Sequence, residues 1–281
     1  VPFGPAIELT GWDSGHLIDR LASAKFREIG LQPAPLCDDA TFVRRAFMDV
    51  IGTLPAATEA QAFIVSTDPD KRTKLIDRLL GVTGDPTLDI YNNSYAAYWS
   101  LKWADLLRSS SKSLGDQGMW SMHNWLQGAF RDNLRLDKFV RELVTAKGSV
   151  VSNGPANFFQ VFANPEARSA AVAQVFLGVR LQCAKCHHHP YETISQEDYY
   201  RLTAYFVRIG IKPSYESGAR HDSLEIVVVS KGEATHPRTG QVLPPTPLHG
   251  PPSPLNLDRR QPLADWLTSP DNPLFARNIV N

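Results

Sequence analysis

The residues best placed to do chemistry are Cys183-Ala-Lys-Cys186-His187, continued by His188-His189-Pro190. Two thiols three positions apart, followed at once by an imidazole, form the c-type haem attachment pattern. On a helical turn positions i, i+3 and i+4 share one face, so both thiols can reach the two haem vinyl groups while the imidazole meets the iron. Cys183 and Cys186 are therefore the expected attachment sites for one covalent haem c, and His187 the expected proximal ligand. Three other chemistries use the same residue types. A zinc site could take Cys183, Cys186 and two of His187, His188 and His189, but structural zinc sites usually draw two ligand pairs from separate segments. With three cysteines in the chain, no second pair exists. A redox dithiol usually follows a strand, whereas the pattern before Cys183 is helical. A disulfide between residues three apart would be strained in a helix.

The element expected to carry this motif opens at Pro165, a good first-turn residue because its missing N–H would be unpaired anyway. Val172, Val175, Phe176 and Val179 form a stripe that runs on towards Cys183 and His187, which puts the expected haem along the buried side of that helix. Pro190 ends the pattern. Ser195-Gln-Glu-Asp198 then reads as a capping box starting a helix whose Tyr199, Leu202, Tyr205 and Phe206 can close over the site.

The opposite face of the iron needs its own ligand or none. Met48, Met119 and Met122 all precede the motif, so a downstream axial methionine does not apply. His123, on the edge of a helix from Met119 to Phe130, is the candidate distal ligand. Met119, Met122, His221, His236, His249 and an open site are the alternatives. His188 and His189 stand too close to His187 in sequence to reach round the ring, and take surface or hydrogen-bonding roles.

Most of the remaining chain reads as helices around a core. Amphipathic patterns cover Ser14–Ile29, with Asp13 or Ser14 as cap and Gly30 as stop, then Asp38–Val50, Thr58–Val65 and Asp70–Leu80. Cys37, in the loop before the second of these, reads as a small filler rather than a nucleophile. An aromatic helix from about Leu88 to Leu107 carries Tyr95, Trp99 and Trp103, a stripe that suits a core or a porphyrin wall. Ser109–Gly118 reads as a polar loop, Leu136–Ala146 as a further helix and Gly148–Pro155 as a loop, while Asn157–Val161 is a short apolar piece without clear assignment. After residue 208 the composition shifts. Leu224–Ser230 and Gly240–Leu243 predict a small hairpin, Pro244–Pro254 an extended linker, and Arg260–Thr268 a helix followed by the start of another. The expected fold class is mainly α, a bundle-like haem domain with a small C-terminal β-hairpin. Its parts are an irregular segment 1–14, a helical cytochrome c-type domain 15–210, a hairpin and Pro-rich linker 211–258, and the start of a companion domain 259–281.

Composition narrows the class. The chain has 281 residues, 43% of them hydrophobic and 21% charged, enough to bury a core. Lysine plus arginine equals aspartate plus glutamate at 29 each and no basic stripe appears, so nucleic acid is not an expected partner. No apolar run is long enough to span a bilayer. A start at Val1 rather than Met fits a processed chain, and covalent haem attachment calls for export, so the expected location is periplasmic or secreted.

The run Val175-Phe-Leu-Gly-Val-Arg-Leu-Gln-Cys-Ala-Lys-Cys-His-His-His-Pro-Tyr191, with Gln196-Glu-Asp-Tyr-Tyr200 and Ala204-Tyr-Phe206, resembles the planctomycete-type cytochrome C proteins of domain of unknown function 1549. Gly30-Leu-Gln-Pro-Ala34, Gly52-Thr-Leu-Pro55 and Tyr98-Trp-Ser-Leu-Lys-Trp-Ala-Asp105 are similar to that family as well. The tail from Arg260 to Asn281 resembles the opening of the companion domain of unknown function 1553. The resemblance implies a haem protein of the bacterial cell envelope, from genes often near polysaccharide-degrading enzymes and sulfatases. Its expected partners are the companion domain or chain and a periplasmic redox protein. An electron carrier with a six-coordinate haem, an oxidoreductase with an open distal site, and a zinc-stabilised interaction module are the functional readings carried forward.

Overall fold

The computed structural model describes residues 5, 7–9, 15–216 and 223–280, so the expected cap at Asp13 or Ser14 and the candidate ligand His221 lie outside the described residues. Backbone contacts divide the chain into two units, one of residues 1–48 and 53–75, the other of 49–52 and 76–281.

The first unit holds helix α1 (Leu17–Ile29), most of α2 (Asp39–Ile51), α3 (Ala57–Val65) and the start of α4 (Lys71–Leu80). Gly30 stops α1 as expected, in the left-handed conformation at φ 67°. Asp38 caps α2 by accepting the Thr41 N–H at 2.7 Å. Phe42 stacks on Phe63 with ring centroids 6.0 Å apart. Arg72 donates to Asp39 at 2.9 Å and to the Cys37 carbonyl at 2.8 Å, so the segment at Cys37 serves as backbone scaffold. Leu17, Ile18 and Leu21, which make up much of the apolar pattern of α1, are more than half exposed.

The second unit contains the mainly helical core. Its elements are α5 (Asn92–Leu106), α6 (Ser111–Arg131), α7 (Leu136–Thr145), strand β1 (Gly148–Ser149), α8 (Asn157–Val161), α9 (Pro165–Leu177) and α10 (Gln196–Thr203). Then come β2 (Ile209–Pro213), β3 (Leu224–Val228), β4 (Ala234–Thr235), β5 (Val242–Leu243), α11 (Arg260–Leu267) and α12 (Pro273–Val280). Met122, Leu126, Phe139, Leu143, Phe158, Phe176, Leu202, Phe206 and Leu263 share one buried cluster. Trp103 packs into it edge-on to Phe139 at 4.8 Å, so the aromatic helix α5 serves the core.

Three sequence expectations change here. The polar stretch Ser109–Gly118 is largely helical: Ser110 caps α6 through the Ser113 N–H, and Gly115, at φ 67° and ψ 170°, breaks the helix within it. The hairpin expected near 224–243 does not form as such. β3 pairs antiparallel with β2, from Ile209 opposite Val228 to Pro213 opposite Leu224, and with β1, while β5 pairs with β4. A central strand that buries Ile226 needs a partner on each side, and β2 lay hidden in sequence because Gly210 and Pro213 interrupt its apolar run. The segment Pro244–Pro254 is a packed strap rather than a free linker: Pro245, Thr246, Pro247 and Leu248 are buried, and Ser253 hydrogen-bonds the Tyr205 hydroxyl.

Two buried arginines fasten this unit. Arg168, 1% exposed, donates to the carbonyls of Phe162 (2.7 Å), Ala163 (2.9 Å), Ile209 (3.1 Å) and Phe159 (3.3 Å). Arg260 forks onto Asp258 and donates to the Ala146 carbonyl at 2.6 Å. Both guanidinium groups lie over Phe159, at 5.5 and 4.9 Å. Residues 259–280, read from sequence as the start of a separate domain, therefore pack inside this unit, with Leu263, Ala264 and Leu267 buried.

Candidate functional site

Helix α9 does not run into the cysteine motif. It stops at Gly178, whose φ of 69° is left-handed, and the N–H of the next residue, Val179, closes the end by donating to the Ala173 carbonyl at 3.1 Å. A Cβ at Gly178 would meet the Asn278 side-chain oxygen at 2.6 Å, so glycine is required twice over. Three residues later the chain makes a separate 3-10 turn, Leu181–Lys185.

That turn has three residues per repeat, so positions i and i+3 eclipse. Leu181 (1% exposed) and Ala184 (0%) point into the core and anchor the turn. The same period puts Cys183 and Cys186 together on another face, where both are exposed and neither is in a disulfide. The expectation that the thiols lie along the buried side of a long helix is thus corrected. They stand one turn apart on the surface, because Gly178 reset the periodicity before the motif began.

His187 is exposed, and its Nδ1 lies 2.7 Å from the His188 carbonyl oxygen. A carbonyl can only accept, so in the neutral ring Nδ1 carries the proton and Nε2 keeps the lone pair. The neighbouring imidazoles are arranged the other way round. His189 Nδ1 accepts from the N–H groups of Tyr191 (3.2 Å) and Glu192 (2.9 Å), and His188 Nδ1 from that of Gln196 (3.3 Å). His236, in the β4–β5 turn, accepts at Nδ1 from Arg238 and Thr239, both at 3.3 Å. Among these four rings only His187 offers Nε2 as a donor atom to a metal.

Helix α10 backs the turn. Its capping box at Ser195 and Asp198 forms as expected, but Tyr199, Leu202, Tyr205 and Phe206 are core residues and do not form a lid. Burial, with the charges of Glu166, Tyr200 and Cys186 adding to it, pushes the Tyr199 phenol up to about 12. Burial likewise raises Tyr200, whose ring is 6.5 Å from His236, with Cys186 next in effect. Both phenols stay protonated at neutral pH.

The other candidates lie elsewhere. His123 is half-buried on α6 with its ring edge-on to Trp120 at 5.4 Å. Met122 is fully buried in the core, Met119 packs against it, and His249 is exposed with φ 58°. Among the described residues no three histidine, cysteine or acidic side chains gather as a metal-holding group, so neither His123 with the motif nor the cysteines with the following histidines form one. The donor set at the motif fits covalent haem nonetheless. Two accessible thiols one turn apart and an imidazole with a free Nε2 are what attachment and ligation require. A cleft of about 610 Å³ lined by Trp99, Trp103, Arg108, Gln174 and Asn278 is a separate feature: Ala171, Gln174 and Val175 line it on α9, roughly opposite Ser169, which bonds Thr203 of α10.

Sequence reading missed Gly178 and Gln196. The first carried a signal, a glycine after the last regular apolar position. The second carried none, since its role depends on partners 8, 11 and 42 residues away in the chain.

A mainly helical chain with a small antiparallel sheet, presenting a cysteine-cysteine-histidine turn on its surface, is the class that these features define. The family described as PSCyt2, protein of unknown function (DUF1549), matches residues 17–210, well over half of the chain, and the chain belongs to it. No curated protein and no solved structure matches. No helix among the described residues is long and apolar enough to cross a membrane.

Proposed function

We propose that this chain is a c-type cytochrome carrying one covalent haem and serving electron transfer in the bacterial cell envelope. The observation that carries the reading is the surface turn on which Cys183 and Cys186 share a face and His187 presents Nε2. When bound, the haem supplies a one-electron couple. The chain's own part is to hold two thiols in reach of two vinyl groups, to fix the imidazole through Nδ1, and to back the turn with the apolar anchors Leu181 and Ala184. Exposure of both cysteines leaves an edge through which electrons can pass to a partner protein. Envelope or secreted location follows from the need for thioether formation outside the cytoplasm. Production with haem-attachment machinery should give an intact mass, after denaturation, one haem above the polypeptide. An unmodified mass would sink the reading.

A second reading, an oxidoreductase with an open distal site, is favoured by one observation. The imidazoles nearest the motif, His188, His189 and His236, have Nδ1 filled by backbone N–H groups and so carry their proton on Nε2. The absorption spectrum separates the two: low-spin bands mean two strong axial ligands, high-spin bands an open or weakly held position.

A further inference from the structure

Gln196 is the first residue of α10 and is only 5% exposed. A buried amide must spend its hydrogen bonds somewhere, and here they go to the segment around His187. Its side-chain nitrogen donates to the Lys185 carbonyl at 2.7 Å. Its backbone N–H donates to His188 Nδ1 at 3.3 Å. Its side-chain oxygen accepts from the Arg238 guanidinium at 3.3 Å. The amide cannot be turned over, because a carbonyl only accepts and a guanidinium only donates. Arg238 is itself delivered by the β4–β5 turn, which closes through His236 N–H to Gln241 (2.9 Å) and Gly240 N–H to His236 (2.9 Å). One side chain therefore fastens Lys185 on one side of Cys186-His187 and one backbone N–H fastens His188 on the other.

We propose that Gln196 is a positioning residue for His187: its side chain ties the Lys185 carbonyl, just before Cys186-His187, to α10 and Arg238, and so holds the His187 ring where its Nδ1 proton meets the His188 carbonyl and Nε2 is kept as the ligand nitrogen. This rests on the haem reading above for its purpose, but not for its first test. An unrestrained histidine in water favours the opposite tautomer, with the proton on Nε2. The clamp is therefore visible before any haem is bound.

In the haem-free full chain, long-range proton–nitrogen NMR of nitrogen-labelled histidines, at a pH where the rings are neutral, reads each tautomer. Wild type should show the Nδ1–H form at His187 and the Nε2–H form at His188, His189 and His236. Gln196→Leu, which keeps most of the side-chain volume, should move His187 towards the Nε2–H form. Arg238→Ala should do so to a smaller extent, and because Arg238 is exposed it decides the matter if Gln196→Leu does not fold. In haem-loaded protein, the free imidazole concentration that displaces His187, read in the visible spectrum, should fall about tenfold in Gln196→Leu, the low end for loss of such a supporting bond. Folded variants with an unchanged His187 tautomer and unchanged imidazole displacement would overturn the proposal. If wild type takes up no haem, the haem reading fails while the tautomer measurement still judges the clamp.

Discussion

At the scale of single residues the site is simple: two thiols and one nitrogen lone pair. On the proposed haem reading Cys183 and Cys186 occupy equivalent places on the turn, so each alone should still hold the haem by one thioether. Cys183→Ala and Cys186→Ala should each keep a covalent adduct with a red-shifted reduced α-band, and the double variant should release all haem into acidified acetone. Retention in the double variant would show that the attachment lies elsewhere. The histidines divide by what their Nδ1 meets. The same reading expects loss of the axial histidine in His187→Ala, against its retention in His188→Ala and His189→Ala, because of these three rings only that of His187 faces a carbonyl.

At the scale of elements, the break at Gly178 decides how the motif is shown to solvent. Gly178→Ala forces a Cβ into the left-handed region and against the Asn278 oxygen, and threatens the 2.7 Å bond from Asn278 to the Val175 carbonyl. A loss of about 2 kcal/mol is expected, read as a lower urea midpoint at unchanged slope. Arg168 is the opposite kind of fastening, a charge spread over four carbonyls from α8, the loop after it and β2. Arg168→Met leaves those acceptors buried without donors and should cost about 3 kcal/mol or more. The neighbouring Arg260 cannot replace it, since its own donors are taken by Asp258 and Ala146.

At the scale of the whole second unit, the C-terminal segment is part of the core. Ending the chain at Asp258 removes Leu263, Ala264 and Leu267 from the cluster and breaks the Arg260 to Ala146 bond. The shortened protein should lose its cooperative thermal transition, as followed by circular dichroism. Arg259, 2% exposed, donates from Nη2 to both Glu233 carboxylate oxygens, at 2.8 and 2.7 Å. That hydrogen-bonded cation, with Arg208 adding, holds the Glu233 carboxyl below its usual 4.5. A carboxyl depressed in the folded state stabilises above its unfolded value and loses that contribution as pH falls through the folded one. Stability should therefore drop below about pH 4.5, and Glu233→Gln should flatten that part of the acid limb in chemical denaturation. Partial exposure of Glu233 keeps the effect modest.

The local structure was legible in the residues themselves. The cysteine-histidine spacing, the stop at Gly30, the capping box at Ser195 and the helical stripes depend on neighbours within about one turn, which a sequence displays directly. So was the mainly helical class, and so was membership in the family of unknown function that matches residues 17–210. What the tertiary structure alone decided depends on distant partners. β3 chose β2 and β1 over a local hairpin because a strand burying Ile226 is completed from both edges. The proline strap and the last two helices joined the core because Tyr205, Ala146 and Glu233 waited there with hydrogen-bonding groups to satisfy. The tautomer of His187 was likewise invisible in the string of letters. It is set by where a carbonyl points, and that direction is fixed only once the chain has folded around it.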